Sequence, residues 1–331
     1  MRAALALAGR GLGRVWPNPA VGCILVRPDL GGRVVGRGWT QPGGRPHAET
    51  EALAQAGELA VGATAYVTLE PCAHQGETGP CAEALVRARI ARCVVALEDP
   101  DSRVSGKGLE ILRAAGIAVE VGLRRLDAVA VNAGFLSRVT KGRPWVGLKT
   151  ATTLDGMVAS ASGRSKWITG VEARARGHLL RARFDAILTG AGTVRADDPQ
   201  LTCRLPGMED RSPMRVVMAG KTTIALASKV MPCRVFDNAA PPAVLAELAN
   251  SGITRLLIEA GSRINAAFLA ADLVDEIHWF RAPKVMGGDG LAAFGDLRHD
   301  DPGALPGFIM TARCLAGADT YEVWRRDRTD H

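Results

Sequence analysis

The apolar residues of this chain fall into short runs whose period changes along it. "AVGCILV" (20–26), "RVVGRGW" (33–39), "ATAYVTLE" (63–70), "RCVVALE" (92–98) and "IAVEV" (117–121) have strand length and are bounded by Gly, Pro or charged residues. Between them, "AETEALAQAG" (48–57), "CAEALVRARI" (81–90) and "GLEILRAAG" (108–116) carry the three-and-four spacing of a helix with one apolar face. The alternation predicts an α/β layered domain. A longer amphipathic stretch follows, "LRRLDAVAVNAGFLSRVTKG" (123–142), and "KGRPW" (141–145) then breaks it with Gly and Pro. A domain boundary is expected there, dividing the chain into residues 1–143 and 144–331.

A second α/β series begins beyond the break. Strands are expected at "WVGLKTATTLDG" (145–156), "RVVMAG" (215–220), "ITRLLIEAG" (253–261) and "VDEIHWFRAP" (274–283), and "DAILTGAGTV" (185–194) reads as a strand running into a turn. Helices are expected at "ARARGHLLRARF" (173–184), "PAVLAELANSG" (242–252) and "INAAFLAADL" (264–273). No internal repeat is visible. The opening "MRAALALAGRGLGR" reads as an amphipathic first helix, because its apolar run is short for a signal sequence and is closed at once by Gly and Arg. No run approaches the roughly 20 apolar residues needed to span a bilayer.

Composition narrows the function classes. At 331 residues the chain exceeds the size at which one core keeps growing, which agrees with two domains. Lys and Arg outnumber Asp and Glu by 41 to 34, but they are scattered, and six Trp, two Tyr and seven Phe show no interleaving with them. A solvated, mildly basic surface is the plain reading, and a phosphorylated small molecule is at least as good a partner as nucleic acid, which stays the runner-up. Seven Cys, an odd number without framework spacing, point to a reducing compartment, so a cytoplasmic protein is expected.

Two short motifs carry chemistry. "HAE" (47–49) opens one predicted helix, and "PCAHQGETGPC" (71–81) places two Cys, each behind a Pro, with the second opening another helix. A Pro-Cys step at a helix start sets the sulfur near the positive end of the dipole and favours the thiolate. His47, Cys72 and Cys81 make three zinc ligands and leave one tetrahedral position for water, which marks a catalytic rather than a structural site. Glu49 is then the natural proton shuttle. Taken singly, each residue has an ordinary reading: a surface His, a dipole-compensating Glu, small core Cys. Together, H-x-E followed by two Pro-Cys steps matches the zinc nucleobase deaminases, except that eight residues rather than two separate the cysteines.

With "PNPAVGC" (17–23), "YVTLEPCAHQGETGPC" (66–81) and "EDPD" (98–101), the first half resembles the deaminase half of a bifunctional riboflavin-biosynthesis family. That family joins diaminohydroxyphosphoribosylaminopyrimidine deaminase to 5-amino-6-(5-phosphoribosylamino)uracil reductase. The resemblance implies zinc on His47, Cys72 and Cys81, Glu49 as proton donor, and Asn18 and His74 along the substrate pocket. "LKTATTLDGMVASASGRSKWITG" (148–170), "AILTGAGTVRADDPQLTCR" (186–204), "LIEAGSRINAAFL" (257–269) and "APKVMGG" (282–288) resemble its reductase half. The implied architecture is α/β with two domains, an N-terminal cytidine-deaminase-like zinc domain and a C-terminal dihydrofolate-reductase-like domain using NADPH.

The glycine turns agree independently. "GAGTV" and "EAGSR" each follow a strand and let backbone N–H groups and a helix N-terminus approach a phosphate. By resemblance, Ala151, Trp167, Thr193, Asp197, Gly261, Ser262, Arg263 and Ile264 would contact NADPH. Ser165, Leu201, Arg204 and Glu259 would contact substrate, with Arg204 on the ribose phosphate. Lys149 and Asp155 flank the same pocket as candidates for protonating the opened ribose. Ala219-Gly220 stands where the family commonly has Asp-Ser, and the segment between Pro206 and Pro242 looks short, which leaves the cofactor contacts there open.

The expected chemistry is zinc-dependent loss of the 2-amino group from 2,5-diamino-6-(5-phosphoribosylamino)pyrimidin-4-one, then NADPH-dependent reduction of ribosyl to ribityl. A symmetric homo-oligomer is the expectation for such a soluble enzyme. A tRNA or nucleoside deaminase fused to an unrelated domain would instead show the short Cys-x-x-Cys spacing and a coherent basic face. A zinc-stabilised binding module would fail to fold without metal and lack activity.

Overall fold

Pro144 cannot extend the preceding helix, and the chain divides there: residues Met1–Arg143 and Pro144–His331 form two compact units. The structure is a computed structural model that describes residues 1–73, 79–101, 105–297, 300–301, 303 and 305–328. The expected His74 contact lies outside the described residues.

In the first unit α1 (Arg2–Ala8) precedes β1 (Gly22–Arg27) and β2 (Arg33–Trp39), after which come α2 (Ala48–Ala56), β3 (Thr64–Val67), α3 (Cys81–Arg87), β4 (Arg92–Val95), α4 (Lys107–Ala114) and β5 (Ala118–Val121). The sheet order is β2-β1-β3-β4-β5, antiparallel through the first three strands and parallel from β3 to β5. Buried Leu25, Leu69, Leu85 and Leu112 join its strands and helices into one core. The amphipathic stretch 123–142 is two helices, α5 (Arg125–Val131) and α6 (Ala133–Lys141), which meet at Asn132. The break has a use: buried Asn132 turns its side-chain oxygen to the Ala20 N–H at 2.9 Å. Thr40 and Thr68 accept the N–H groups of Val21 and Gly22 in the same way, so side chains from three directions pin the "PAVG" stretch.

The second unit contains β6 (Trp145–Thr152), β7 (Met157–Ala159), α7 (Val171–Arg181), β8 (Ala186–Gly190), α8 (Ala191–Asp197), β9 (Met214–Met218), β10 (Arg234–Phe236), α9 (Pro241–Asn250), β11 (Arg255–Ile258), α10 (Ser262–Ala270), β12 (Glu276–Arg281), β13 (Leu291–Ala292), β14 (Phe308–Ala316) and β15 (Asp319–Arg326). Its main sheet runs β10-β9-β8-β11-β6-β12-β15-β14. The strands are parallel as far as β12, and the β14–β15 hairpin adds two antiparallel strands at one edge. "GAGTV", read as a turn, is the start of α8, and Gly190 caps it in extended conformation. Buried Asp185 accepts the N–H groups of Thr254 and Arg255, each at 2.8 Å, and locks the starts of β8 and β11 together. No helix among the described residues is long and apolar enough to cross a membrane.

Candidate active sites

Two helix starts and one turn build the first site. His47 caps α2 and Glu49 lies in its first turn, while Cys81 is the first residue of α3 after Pro80. Cys72 arrives on the turn beyond β3, at the carboxyl end of a parallel strand, where open α/β sheets gather their sites. His47 Nδ1 is 3.3 Å from Cys81 Sγ and 3.7 Å from Cys72 Sγ, and all three ligand atoms lie within 4.8 Å of one another. Zinc–nitrogen and zinc–sulfur bonds of about 2.1 and 2.3 Å at a tetrahedral angle require about 3.6 Å between such ligands. Both nitrogen–sulfur separations are within a few tenths of an ångström of that value, so the triad fits zinc.

The charges are arranged accordingly. The Cys81 N–H points at Cys72 Sγ from 3.3 Å. A hydrogen bond from the Cys81 thiol, together with His47, outweighs burial and brings Cys72 down to about 4, while the same pairing pushes Cys81 well up. Glu49 is 3% exposed, and burial first, then the charge on Cys72, pushes its carboxyl up to about 7. A carboxyl near neutrality both takes and gives a proton. Asn18 packs against Gly44, where a Cβ would stand 1.8 Å from Asn18 Nδ2. Gly44 has φ 86° and belongs to the turn that leads into His47.

In the second unit the expected reductase residues gather at two adjoining clefts, which share Val158 and Ser165. The larger, about 790 Å³, is lined by Gly190 to Thr193, Asp197, Met218 to Thr222 and Gly261 to Ile264. The starts of α8 and α10 face it, and a Cβ on Gly190 would meet Ile264 at 2.5 Å, so a side chain there would crowd the cradle. Its size and its glycine-lined helix starts fit a dinucleotide. Gly220, with φ 61°, lines it too, although the departure from the family pattern gave no reason to include it.

The smaller cleft, about 250 Å³, is lined by Lys149, Ala151, Ser165, Trp167, His178 and Arg204 among others. Ser165 borders both clefts, whereas Ala151 and Trp167 border only the smaller. The residues expected at the cofactor are therefore split, and a dinucleotide touching all of them would have to reach from one cleft into the other. Glu259 accepts two hydrogen bonds from Arg181, each 2.8 Å, and lies 3.6 Å from Lys149 Nζ. Burial works against its charge, yet Arg181 and Lys149 prevail and hold it at about 2. Arg181 was not among the expected residues, because nothing local in "HLLRARF" signals a partner 78 positions away.

Two of the expected residues have side chains that line neither cleft. Asp155 accepts N–H groups from Met286 at 3.1 Å and from Gly287 at 2.8 Å and borders neither cleft. Hydrogen bonds from Thr153 and then Gly287 hold it down to about 2, so it is a turn staple with no proton to give at neutral pH. Leu201 is 3% exposed and packs in the core with Phe184, Ile187 and Val194, so its side chain is withdrawn from both clefts.

Comparison with known proteins agrees with this division. The family described as the cytidine and deoxycytidylate deaminase zinc-binding region matches residues 1–97, and the RibD C-terminal domain family matches residues 144–304. Riboflavin biosynthesis protein RibD of Aquifex aeolicus is 41% identical over 323 residues, covering 90% of this chain and 89% of that protein. Acinetobacter baumannii RibD, a solved structure, superposes with a TM-score of 0.91 at 38% identity, covering 99% of this chain and 98% of that one. The Thermotoga maritima diaminohydroxyphosphoribosylaminopyrimidine deaminase/5-amino-6-(5-phosphoribosylamino)uracil reductase gives 0.90 at 34% identity, covering 99% and 97%.

Proposed function

The chain belongs to the RibD family of riboflavin-biosynthesis proteins, a deaminase and a reductase in one polypeptide, and we propose that residues 1–143 deaminate and residues 144–331 reduce the same phosphorylated pyrimidine. The substrate on this reading is 2,5-diamino-6-(5-phosphoribosylamino)pyrimidin-4-one. The observation that carries it is the His47, Cys72 and Cys81 triad with buried Glu49 beside it, in a chain that also holds a cation-lined cleft next to a dinucleotide-sized one.

Bound at the triad, zinc supplies the Lewis acidity that brings the pKa of a water toward neutrality. Glu49 takes a proton from the attacking water and gives it to the ring nitrogen, so charge on the ring is neutralised as the carbon–oxygen bond forms. It then passes the second proton to the amine, which leaves as ammonia. Asn18, packed against the turn that leads into His47, would orient the base.

In the reductase unit, the chemistry that NADPH would supply when bound is a hydride for the sugar carbon. Thr193, Asp197 and Gly261 to Ile264 would hold its phosphates and ribose, with Trp167 and Ala151 at the nicotinamide end. Arg204, which lines the smaller cleft, would take the sugar's phosphate. Glu259 keeps Arg181 and Lys149 in register, and Lys149 gives a proton to the ring oxygen as the sugar opens. Full reductase activity in Lys149→Ala would remove that role.

The test is to incubate zinc-loaded protein with the diaminopyrimidinone, with and without NADPH, and to follow ammonia and NADPH together. Ammonia in both samples, with NADPH consumed only after deamination, is expected. No ammonia would sink the zinc assignment, and NADH serving as well as NADPH would sink the cofactor choice. A cytoplasmic homo-oligomer completes the reading. Support comes from the outer edge of β14, where Ile309, Met310 and Leu315 are exposed. A monomer by light scattering would refute the self-association.

A further inference from the structure

The smaller cleft of the reductase unit holds more positive charge than its carboxylate balances. Lys149, Arg174, Arg181 and Arg204 line it, and Glu259 pairs with Lys149 and Arg181. Arg181 is committed: Nε and Nη2 donate to Glu259 and Nη1 donates to the Thr202 carbonyl at 3.0 Å. His178 adds no charge at neutral pH, because burial and then Arg181 and Arg204 push its pKa down.

Arg174 is placed differently. Its guanidinium lies over the Trp167 ring, 4.6 Å from the centroid, and among the described residues its one hydrogen bond runs from Nη1 to the Thr169 carbonyl at 2.7 Å. Among the described residues Nε and Nη2 keep a donor edge without a protein acceptor, and no carboxylate there pairs with this half-buried side chain. Stacking on an indole fixes the guanidinium plane and so the direction of that edge. The backbone that carries the indole is tethered, since Lys284 Nζ donates to the main-chain carbonyls of Trp167 and Ile168 at 3.3 and 2.9 Å. Among the described residues the Arg204 guanidinium likewise makes only long hydrogen bonds, 3.4 Å to Gln200 and 3.3 Å to Thr202, through one nitrogen.

We propose that Arg174 is a specificity-determining residue of the reductase, which together with Arg204 grips the phosphate monoester of the sugar substrate while Trp167 serves as the platform that aims it. The inference rests on the reductase reading above and adds to it a residue that no motif singled out. A phosphate monoester carries about −1.5 to −2 charges at neutral pH and offers three acceptor oxygens. Two guanidinium forks match that geometry, where a lysine would offer a point charge. At 250 Å³ against 790 Å³, the smaller cleft suits a sugar phosphate and the larger a dinucleotide.

The experiment compares kcat/KM for the deaminated pyrimidine with and without its 5′-phosphate, in the full zinc-loaded chain with NADPH, for wild type, Arg174→Met and Arg174→Lys. Arg174→Met is expected to lower the preference for the phosphorylated compound by about 10- to 100-fold, the worth of a hydrogen bond to a charged group. The loss should sit mainly in KM, and Arg174→Lys should restore part of it. Because both compounds are measured on one preparation, misfolding cancels in the ratio. A wild-type ratio in Arg174→Met would overturn the proposal and leave the residue a mere support for Trp167. A second readout needs no turnover: quenching of Trp167 fluorescence by the phosphorylated pyrimidine, taken as the difference from Trp167→Phe, should weaken in Arg174→Met. Reduction of neither compound by wild type would instead refute the reductase assignment, and this inference with it.

Discussion

Glu49 and Glu259 are both buried carboxylates, and their surroundings drive them in opposite directions. Glu49 has sulfur and a ring nitrogen for neighbours and is pushed up to about 7, whereas Glu259 has Arg181 and Lys149 and is held at about 2. The first can exchange protons and the second cannot. Glu49→Gln keeps the shape and removes the exchange, so ammonia release should fall by about 10²- to 10⁴-fold while one zinc per chain remains bound. Retention of more than a tenth of the rate would show that another group carries the proton. For Glu259 the consequence is stability. Its folded pKa lies below the ordinary carboxylate value, so its contribution is complete above about pH 4.5 and is lost as pH falls from there through about 2. The amount is on the order of 3 kcal/mol. Urea unfolding of the reductase unit should therefore weaken between pH 5 and 3, and Glu259→Gln should be less stable at pH 7 but flatter across that range. A variant with the wild-type slope would move the acid sensitivity elsewhere.

Helix α2 carries two of the residues that matter in the zinc site, and its distance from the sheet is set by glycine. A Cβ at Gly38 would lie 2.0 Å from the Ala48 carbonyl oxygen, and one at Gly36 would lie 2.1 Å from that of Ala52. "RVVGRGW" thus lets α2 rest directly on β2, and Gly38→Ala must lift the end of the helix that begins with His47 and Glu49. We expect Gly38→Ala to cost about 1–3 kcal/mol, as overpacking does. It should also weaken zinc retention against a chelator and leave NADPH oxidation on the deaminated pyrimidine at the wild-type rate. Unchanged zinc affinity would mean that the sheet, not the helix, absorbs the methyl group. Elements like α2 were legible because spacing, caps and chemistry coincide over a few residues. The β14–β15 hairpin was not read at all: β14 is exposed along nearly its whole length, so no buried face imposes a two-residue period. For α8 the opposite holds. Its glycines read as a turn, and only packing beneath the dinucleotide-sized cleft makes it helical.

The molecule is two units divided at Pro144, and its two chemistries make different demands on sequence. Metal ligation requires particular atoms within a few ångströms, so His47, Cys72 and Cys81 stood out from residue type and spacing alone. The reductase clefts are lined by residues from β6, α7, α8, the turn after β9 and the start of α10, and Arg181, Arg174 and Glu259 acquire their meaning only when such elements converge. That is why Asp155 and Leu201 seemed eligible and Arg174 did not. The same contrast gives a prediction for the whole chain. All ligand atoms of the triad lie within residues 47–81, whereas both clefts are lined entirely by residues beyond 144. Removing zinc with a chelator should therefore abolish ammonia release and leave NADPH oxidation intact when the pyrimidine is supplied already deaminated. Calorimetry should then show the transition of the first unit moving down, since metal bound only by the folded state stabilises it by mass action, with the second transition unmoved. Loss of both activities on chelation would mean that the reductase depends on a metal-ordered first unit, and the two halves could no longer be treated as separate catalysts.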